Sequence, residues 1–269
     1  MNTLTHFKDL HQGEDVLFLP NAWDTLSALV IEQAGFQAVG TTSWGVANAM
    51  GYCDGEKITF EDLLDVIKKI LAAVTIPVTV DIESGFSNTP KTVAENIMKI
   101  ADLGAAGINI EDSLKNVSDL HDKKLQEKGK HSELIARIRQ TLDSNGYADF
   151  FINARIDTYL QLENPLNQTI ERAISYVDSG ADGIFVPGMS QCGEIQQLSN
   201  NVTVPLNVMS LPGFTNPDSV SQHGVKRFSI GNAFSDATIC FMEEQSKALL
   251  TNRSTDSLYT NRVIRTTFR

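Results

Sequence analysis

Cysteine is scarce: Cys53, Cys192 and Cys240 stand far apart in a chain of 269 residues. Their odd number and wide spacing form neither a zinc-binding pattern nor the disulfide framework of a short secreted domain. A reducing compartment, the cytoplasm, is the expected location. Long hydrophobic runs are missing as well. No stretch approaches the roughly 18 apolar residues of a spanning helix, so no membrane partner is expected. Met1–Leu10 alternates polar and apolar residues and lacks the apolar centre of a signal peptide. Basic residues are outnumbered, 22 Lys and Arg against 33 Asp and Glu, for a formal net charge of −11. That balance argues against a nucleic-acid partner, which draws on concentrated Lys and Arg. It leaves room for an anionic substrate, because a metal or a local cation reverses the field inside a cleft. Internal repeats, low-complexity segments, a phosphate loop, a Ser-His-Asp order and a Schiff-base Lys at a strand end are absent too.

What is present is a regular alternation. Hydrophobic residues make up 42% of the chain, enough for a sizeable core. Short apolar runs at Val16–Leu19, Ala38–Thr42, Val78–Val80, Gly107–Ile110, Phe150–Ala154, Gly183–Val186, Pro205–Val208 and Lys226–Ile230 have the length of buried strands. Between them the apolar spacing changes to three and four. Phe60, Leu63, Leu64, Ile67, Ile70 and Leu71 form one helical stripe. Val93, Ile97, Ile100 and Ala101 form another, closed by Gly104. Strand and helix alternate at intervals of about 25 to 40 residues, the pattern of an α/β parallel (β/α)8 TIM barrel. Periodicity alone leaves an open doubly wound sheet as the competitor. Against it, the first strand runs into Pro20-Asn21-Ala22-Trp23-Asp24 rather than a Gly-rich dinucleotide turn. Residues 1–269 are expected to form one barrel domain, with 232–269 a helical and then basic extension suited to oligomerisation. The connection from Ser113 to Lys130 is polar and long, the signature of a lid or an insertion.

Barrel enzymes carry their chemistry at the C-terminal ends of strands. There the chain places Ser43-Trp44-Gly45, Asp81-Ile82-Glu83, Glu111-Asp112-Ser113, Asn153-Ala154-Arg155-Ile156-Asp157 and Asn207. Asp81 and Glu83, two apart on extended backbone, would leave the same face, with Glu111 approaching from the next strand. Three close carboxylates repel unless a cation joins them, and all-oxygen ligands suit Mg²⁺ or Mn²⁺ better than Zn²⁺. The competing reading has these acids capping helices or pairing with Arg155. Arg155 would clamp a substrate carboxylate, or pair with Asp157 or Asp112. The Ser43–Gly45 amides would face an oxyanion. Cys53 reads as a quiet thiol, and His121, His131 and Lys123-Lys124 as solvated.

Pro20–Asp24, Thr42–Gly45, Asp81-Ile82-Glu83-Ser84-Gly85-Phe86, Gly107–Ser113 and Ala154–Asp157, in this order and spacing, resemble the isocitrate lyase / phosphoenolpyruvate mutase superfamily. The resemblance runs from about Leu17 to about Ala233. It implies a Mg²⁺-dependent barrel acting on 2-oxo acids or their phosphono analogues. It also implies a homo-oligomer, dimer or tetramer, with the last helix exchanged between subunits. Transferred by motif, Asp81 is the direct metal ligand, with Glu83, Glu111 and Asp54 acting directly or through water. Ser43, Trp44 and Gly45 bind the substrate carboxylate, Arg155 pairs with it, and Asn207 makes a further contact. Asp54, Arg155 and Lys115 are the candidate catalytic residues. The departures bear on the reaction. The lyases' Lys-Lys/Arg-Cys-Gly-His segment after strand four is replaced by Ser113-Leu114-Lys115-Asn116-Val117. Lys115-Asn116 is a loose echo of the Lys and Asn of the mutases, and Pro187-Gly188 stands where the lyases have a Glu. The resemblance thus points to the phosphonomutase-like branch. Three activities follow as expectations: carbon–carbon cleavage or decarboxylation of a small 2-oxo acid through an enolate, phosphonomutase or phosphonopyruvate hydrolase action on a P–C bond, or 2-oxo-acid binding without turnover.

Overall fold

Each predicted strand forms close to its predicted place, because each apolar run has one face for the helices and one for the barrel interior. The computed structural model describes residues 2–114 and 125–259. The chain begins with α1 (Thr3–Leu10), β1 (Leu17–Leu19), β2 (Asn21–Ala22), α2 (Thr25–Gln33), β3 (Val39–Thr41), α3 (Ser43–Ala49) and α4 (Phe60–Ala73). It continues through β4 (Val78–Asp81), α5 (Pro90–Asp102), β5 (Gly107–Glu111), α6 (Lys128–Ser144), β6 (Phe151–Arg155), α7 (Thr158–Gln161) and α8 (Leu166–Asp178). The last third holds β7 (Gly183–Phe185), α9 (Cys192–Ser199), β8 (Leu206–Met209), α10 (Asp218–Ser221), β9 (Val225–Ser229), α11 (Ala233–Asn252) and α12 (Asp256–Tyr259). The helices start where the chain supplies caps. Thr59 and Asp62 form a capping box on α4, and Thr89 with Pro90 opens α5.

All pairings are parallel, in the order β1-β9-β8-β7-β6-β5-β4-β3-β2. Nine strands rather than eight arise because Pro20, which has no N–H to donate, splits the first one. β1 pairs with β9 and β2 with β3, so the split strand joins the two edges and closes the ring. The Leu19 and Pro20 carbonyls accept from Ile230 and Gly40 at 3.1 and 2.9 Å, on opposite sides of the break. This is the (β/α)8 barrel, and the open sheet is excluded.

Alternation sets what each face carries. Val80, Ile108, Ile110, Ile152, Ile184, Val208 and Phe228 share one core with the helical Ile67, Ile97, Ile138 and Tyr176. The residues between them face the lumen. Arg227 of β9 donates to Asn109 of β5 at 3.3 Å, although those strands are not neighbours in the sheet, so the contact crosses the interior. Phe7, Leu17, Leu19 and Phe151 plug the opposite end. There the ring of His11 stacks on Phe151 at 4.2 Å. The connection from Ser113 ends near its expected place, since α6 begins at Lys128. One expectation changes. His131, expected in solvent, is fully buried on α6 with its ring edge-on to Tyr176 at 4.8 Å.

Both buried histidines are held neutral. Burial, joined by the positive charge of Arg227 for His11 and of Arg172 for His131, lowers each to about 3. The unfolded chain takes up these protons near pH 6.5 and the folded one does not. Their contribution to stability is therefore complete above pH 6.5 and is lost as pH falls from there towards 3. Asp112, raised chiefly by burial, works against this trend, so the check uses histidine variants. The urea midpoint should fall between pH 6.5 and 4.5, and the double variant His11→Phe, His131→Phe should show a flatter profile. The expected difference in slope is about 1.4 kcal/mol per pH unit for each histidine. An unchanged slope would contradict the buried neutral state.

Candidate active site

The mouth of the barrel is assembled from strand ends that bind one another. Thr42 follows β3 and caps α3, its Oγ1 accepting from the Gly45 amide at 3.4 Å. Only glycine fits at 45, because a Cβ there would lie 2.7 Å from the Trp23 Cβ. The Ser43 amide donates to Asp81 Oδ2 at 3.3 Å, and the Asp81 amide to Thr41 Oγ1 at 2.9 Å. The Trp44 indole donates to Asp236 of α11 at 2.8 Å, which ties the last long helix to the mouth.

Glu83 departs from expectation. β4 ends at Asp81, and the Gly85 amide donates back to the Ile82 carbonyl at 2.9 Å, so the chain is turning. Glu83 lies in the left-handed region, φ +51°, and the same-face argument that needed extended backbone fails there. Its Oε1 accepts from the Glu56 amide at 2.8 Å. Glu56 in turn accepts from Ser84 Oγ at 2.6 Å and from the Ser84 and Phe86 amides, both at 3.1 Å. The exchange buckles the loop carrying Asp54 onto the loop after β4.

Arg155, at the end of β6, is bound by acids on two sides. Its Nε and Nη2 meet Asp157 at 2.6 and 3.1 Å, and Nη1 meets Glu111 at 3.0 Å. Burial alone would lower its pKa, but Asp157, Glu111 and Asp81 more than offset that and raise it. The side chain also lies over the Phe185 ring at 5.8 Å. Of the two pairings open to it, Asp157 holds and Asp112 does not. Asp112 accepts from Arg172 at 2.9 Å and from Tyr176 Oη at 2.8 Å, while its other oxygen accepts the Asp157 amide at 2.9 Å. Asp157 also accepts from Ser113 Oγ at 2.6 Å.

These strand ends surround a cavity of about 230 Å³. Its polar wall includes Asn21, Ser43, Asp54, Asp81, Asn109 and Arg155, and its apolar wall Trp44, Leu160, Phe185, Pro187 and Met209. Space of this size suits an acid of a few carbons rather than a drug-sized ligand of ~300–1,000 Å³. Asp81, Glu83 and Glu111 do not converge on one point: Glu83 turns to Glu56 and Glu111 to Arg155. Among the described residues no three His, Cys, Asp or Glu side chains form a cage for a metal. The donors still fit a hard divalent cation. Asp81 and Asp54 both line the cavity, and buried Asp54 Oδ1 meets no hydrogen-bond donor among the described residues. Mg²⁺ is commonly held by one or two carboxylates, with water and substrate completing its shell.

Asn207 is buried and off the cavity wall, accepting from Ser229 Oγ at 3.3 Å. Lys115 lies outside the described residues. Sequence reasoning missed Asn21, Asn109, Glu56 and Arg227. The signal for Asn109 was period two, since it is a polar residue between Ile108 and Ile110 inside a strand; Arg227, which follows Lys226, carries no such signal.

Fold and site together define a (β/α)8-barrel enzyme whose carboxylate-rich mouth encloses a small-acid cavity. The chain belongs to the phosphoenolpyruvate phosphomutase family, whose profile matches residues 7–250. It is 39% identical over 227 residues to an uncharacterized protein of Mycobacterium tuberculosis (strain ATCC 25618 / H37Rv), covering 84% of this chain and 81% of that one. It is 32% identical over 204 residues to the 2-methylisocitrate lyase of Escherichia coli (strain K12), covering 73% and 67%. A crystal structure from Burkholderia cenocepacia J2315 superposes with a TM-score of 0.86 at 35% identity, covering 92% of this chain and all of that one.

The Arg172–Asp112 pair is buried at both ends and is joined to Arg155 twice, through Asp157 and through the Asp112 amide, which donates to the Arg155 carbonyl at 3.2 Å. Arg172→Leu should destabilise the protein by about 3–5 kcal/mol in urea unfolding, because it strands a buried carboxylate. Adding Asp112→Asn should recover part of that loss. A single variant within 1 kcal/mol of wild type would rule out the pair as the support of the Arg155 loop.

Proposed function

We propose that the chain is a divalent-metal-dependent carbon–carbon lyase or decarboxylase acting on a small 2-oxo acid. The observation that carries this reading is one cavity, with space for only a few carbons, that Asp54, Asp81 and Arg155 all line. Bound Mg²⁺, or Mn²⁺, would supply Lewis-acid stabilisation of the enolate left when the bond at C3 breaks. Asp81 and Asp54 would hold that ion, and the buckle between Glu83 and Glu56 would keep Asp54 in place. Arg155 has five N–H donors, and Asp157 and Glu111 occupy three. The remaining two can orient a substrate carboxylate, with Ser43 beside them. The apolar wall of Leu160, Phe185 and Met209 would exclude water from the breaking bond.

The family's name favours a second reading, P–C chemistry on a phosphono acid. Against lysis of a methylisocitrate-type acid stands the lack of a Cys-Gly-His segment after β5, since such lysis needs a protonating acid. Decarboxylation asks less, because water can protonate the enolate once CO₂ has left. The third reading, binding without turnover, separates cleanly: an enolate-forming enzyme exchanges the C3 protons of pyruvate in D₂O, and a binder does not.

The test is a panel of oxaloacetate-type acids, malate-type acids, methylisocitrate and phosphonopyruvate, followed for pyruvate release with Mg²⁺ and with chelator. Oxaloacetate-type acids should lead methylisocitrate in kcat/KM. A tenfold preference for methylisocitrate, about 1.4 kcal/mol in barrier, would reverse the assignment. Asp81→Ala should abolish both Mg²⁺ binding by calorimetry and turnover, and equal affinity in that variant would remove Asp81 from the metal site.

The same reading includes assembly in the cytoplasm. The three cysteines are free and exposed, and among the described residues no helix is long and apolar enough to cross a membrane. α11 runs for 20 residues with only Ser235 buried, and exposes Phe234, Ile239, Phe241 and Met242. A homo-oligomer, dimer or tetramer, that exchanges this helix would cover that face. Truncation before Phe234 should give monomer or insoluble protein on size-exclusion chromatography. A soluble truncated protein with the full-length protein's subunit number would contradict it.

A further inference from the structure

Among the described residues Arg227 is the largest fully buried side chain, at 1% exposure, and it sits in the middle of β9. Its Nη2 donates to Asn109 Oδ1 at 3.3 Å, while Nε and Nη1 meet no acceptor among the described residues. A guanidinium taken from water without a contacting carboxylate costs several kcal/mol. A core packed for stability alone would place an apolar residue there.

Its surroundings show what the charge faces. Asn109 is the register partner of Asp81 across β4 and β5, and both line the cavity. Arg227 thus stands one side chain behind the floor of the site. The titratable groups its field reaches are Asp81 above and His11 below. Burial outweighs the opposing pull of Asp81 and lowers Arg227 to about 9, so it stays a cation at neutral pH. Arg155, the cation on the cavity wall, is already bound by Asp157 and Glu111. Among the described residues, Arg227 is therefore the cation near the cavity that no contacting carboxylate cancels.

We infer that Arg227 is a fixed interior counter-charge that tunes the site in opposite directions for its two ligands, weakening the hold on the cation and strengthening the hold on the 2-oxo acid anion. The inference rests on the proposed metal-and-acid reading of the cavity. Its physical content is Coulombic. A unit positive charge behind the floor repels a divalent cation and attracts an anion, and it keeps neighbouring carboxylates from dominating the cavity before substrate arrives. Arg227 touches neither ligand in this account. It acts through the field and through Asn109.

The experiment is calorimetry of Mn²⁺ binding, and then of oxalate binding to the Mn²⁺-loaded protein, for wild type, Arg227→Met and Arg227→Lys. Thermal melts run alongside to confirm folding. Arg227→Met should bind Mn²⁺ about three- to tenfold more tightly and oxalate more weakly by a similar factor, while Arg227→Lys stays near wild type in both. A packing role would move both affinities the same way or neither, and either result would overturn the inference. If Arg227→Met does not fold, Arg227→Gln takes its place. Failure of both uncharged variants to fold beside a stable Arg227→Lys would also overturn it, because the charge would then serve folding. Wild type that binds neither Mn²⁺ nor oxalate would sink the proposed function and this inference with it. Wild-type binding with parallel changes in the variant would sink the inference alone.

Discussion

The bidentate pair of Arg155 and Asp157 is the interaction on which the mouth of the barrel depends. Asp157 is fully buried and accepts from Arg155 and from Ser113, while its backbone amide is held by Asp112. Asp112 in turn is anchored by Arg172 and Tyr176 of α8. The ends of β5 and β6, one helix and the start of the connection after β5 are thus fastened by a chain of charged groups. A buried ion pair adds little net stability when compared with a well-packed apolar pair. What it supplies is geometry, because every member is satisfied only in one arrangement.

That constraint explains how acids are divided at the mouth. Glu111 is drawn to Arg155 and Glu83 is folded back to the Glu56 amide. Asp54 and Asp81 are left on the cavity wall. Among the described residues no three carboxylates form a cage; two of these acids support the site and two line the ligand space. The barrel interior below carries Asn109, Asn153 and Arg227 in place of the branched aliphatic layers common to the fold.

Much of this was legible in the sequence. The eight strand positions follow from apolar runs and the change of period between them, since burial on both faces leaves no other pattern. The ends of those strands located Ser43, Asp81, Glu111 and Arg155 at the mouth. Glu83 was misplaced because two residues of spacing specify a shared face only while the backbone stays extended, and Gly85 signals a turn without saying where it starts. His131 was misplaced because a polar neighbourhood in sequence says nothing of what packs over a helix. The pairing of Glu111 with Arg155 depends on register: they are paired residues of β5 and β6, and a slip of one position would part them.

The sequence by itself determined the architecture, the polarity of the mouth and the resemblance to a family, because periodicity and motif order are local and survive without coordinates. The tertiary structure decided which acids face the ligand and which face each other. It also decided that the first strand closes the ring across Pro20, and that Arg227 lies behind Asp81 with no carboxylate in contact among the described residues. Those are long-range facts. They depend on the register of neighbouring strands and on which side chains meet across the lumen, and local spacing along the chain specifies neither.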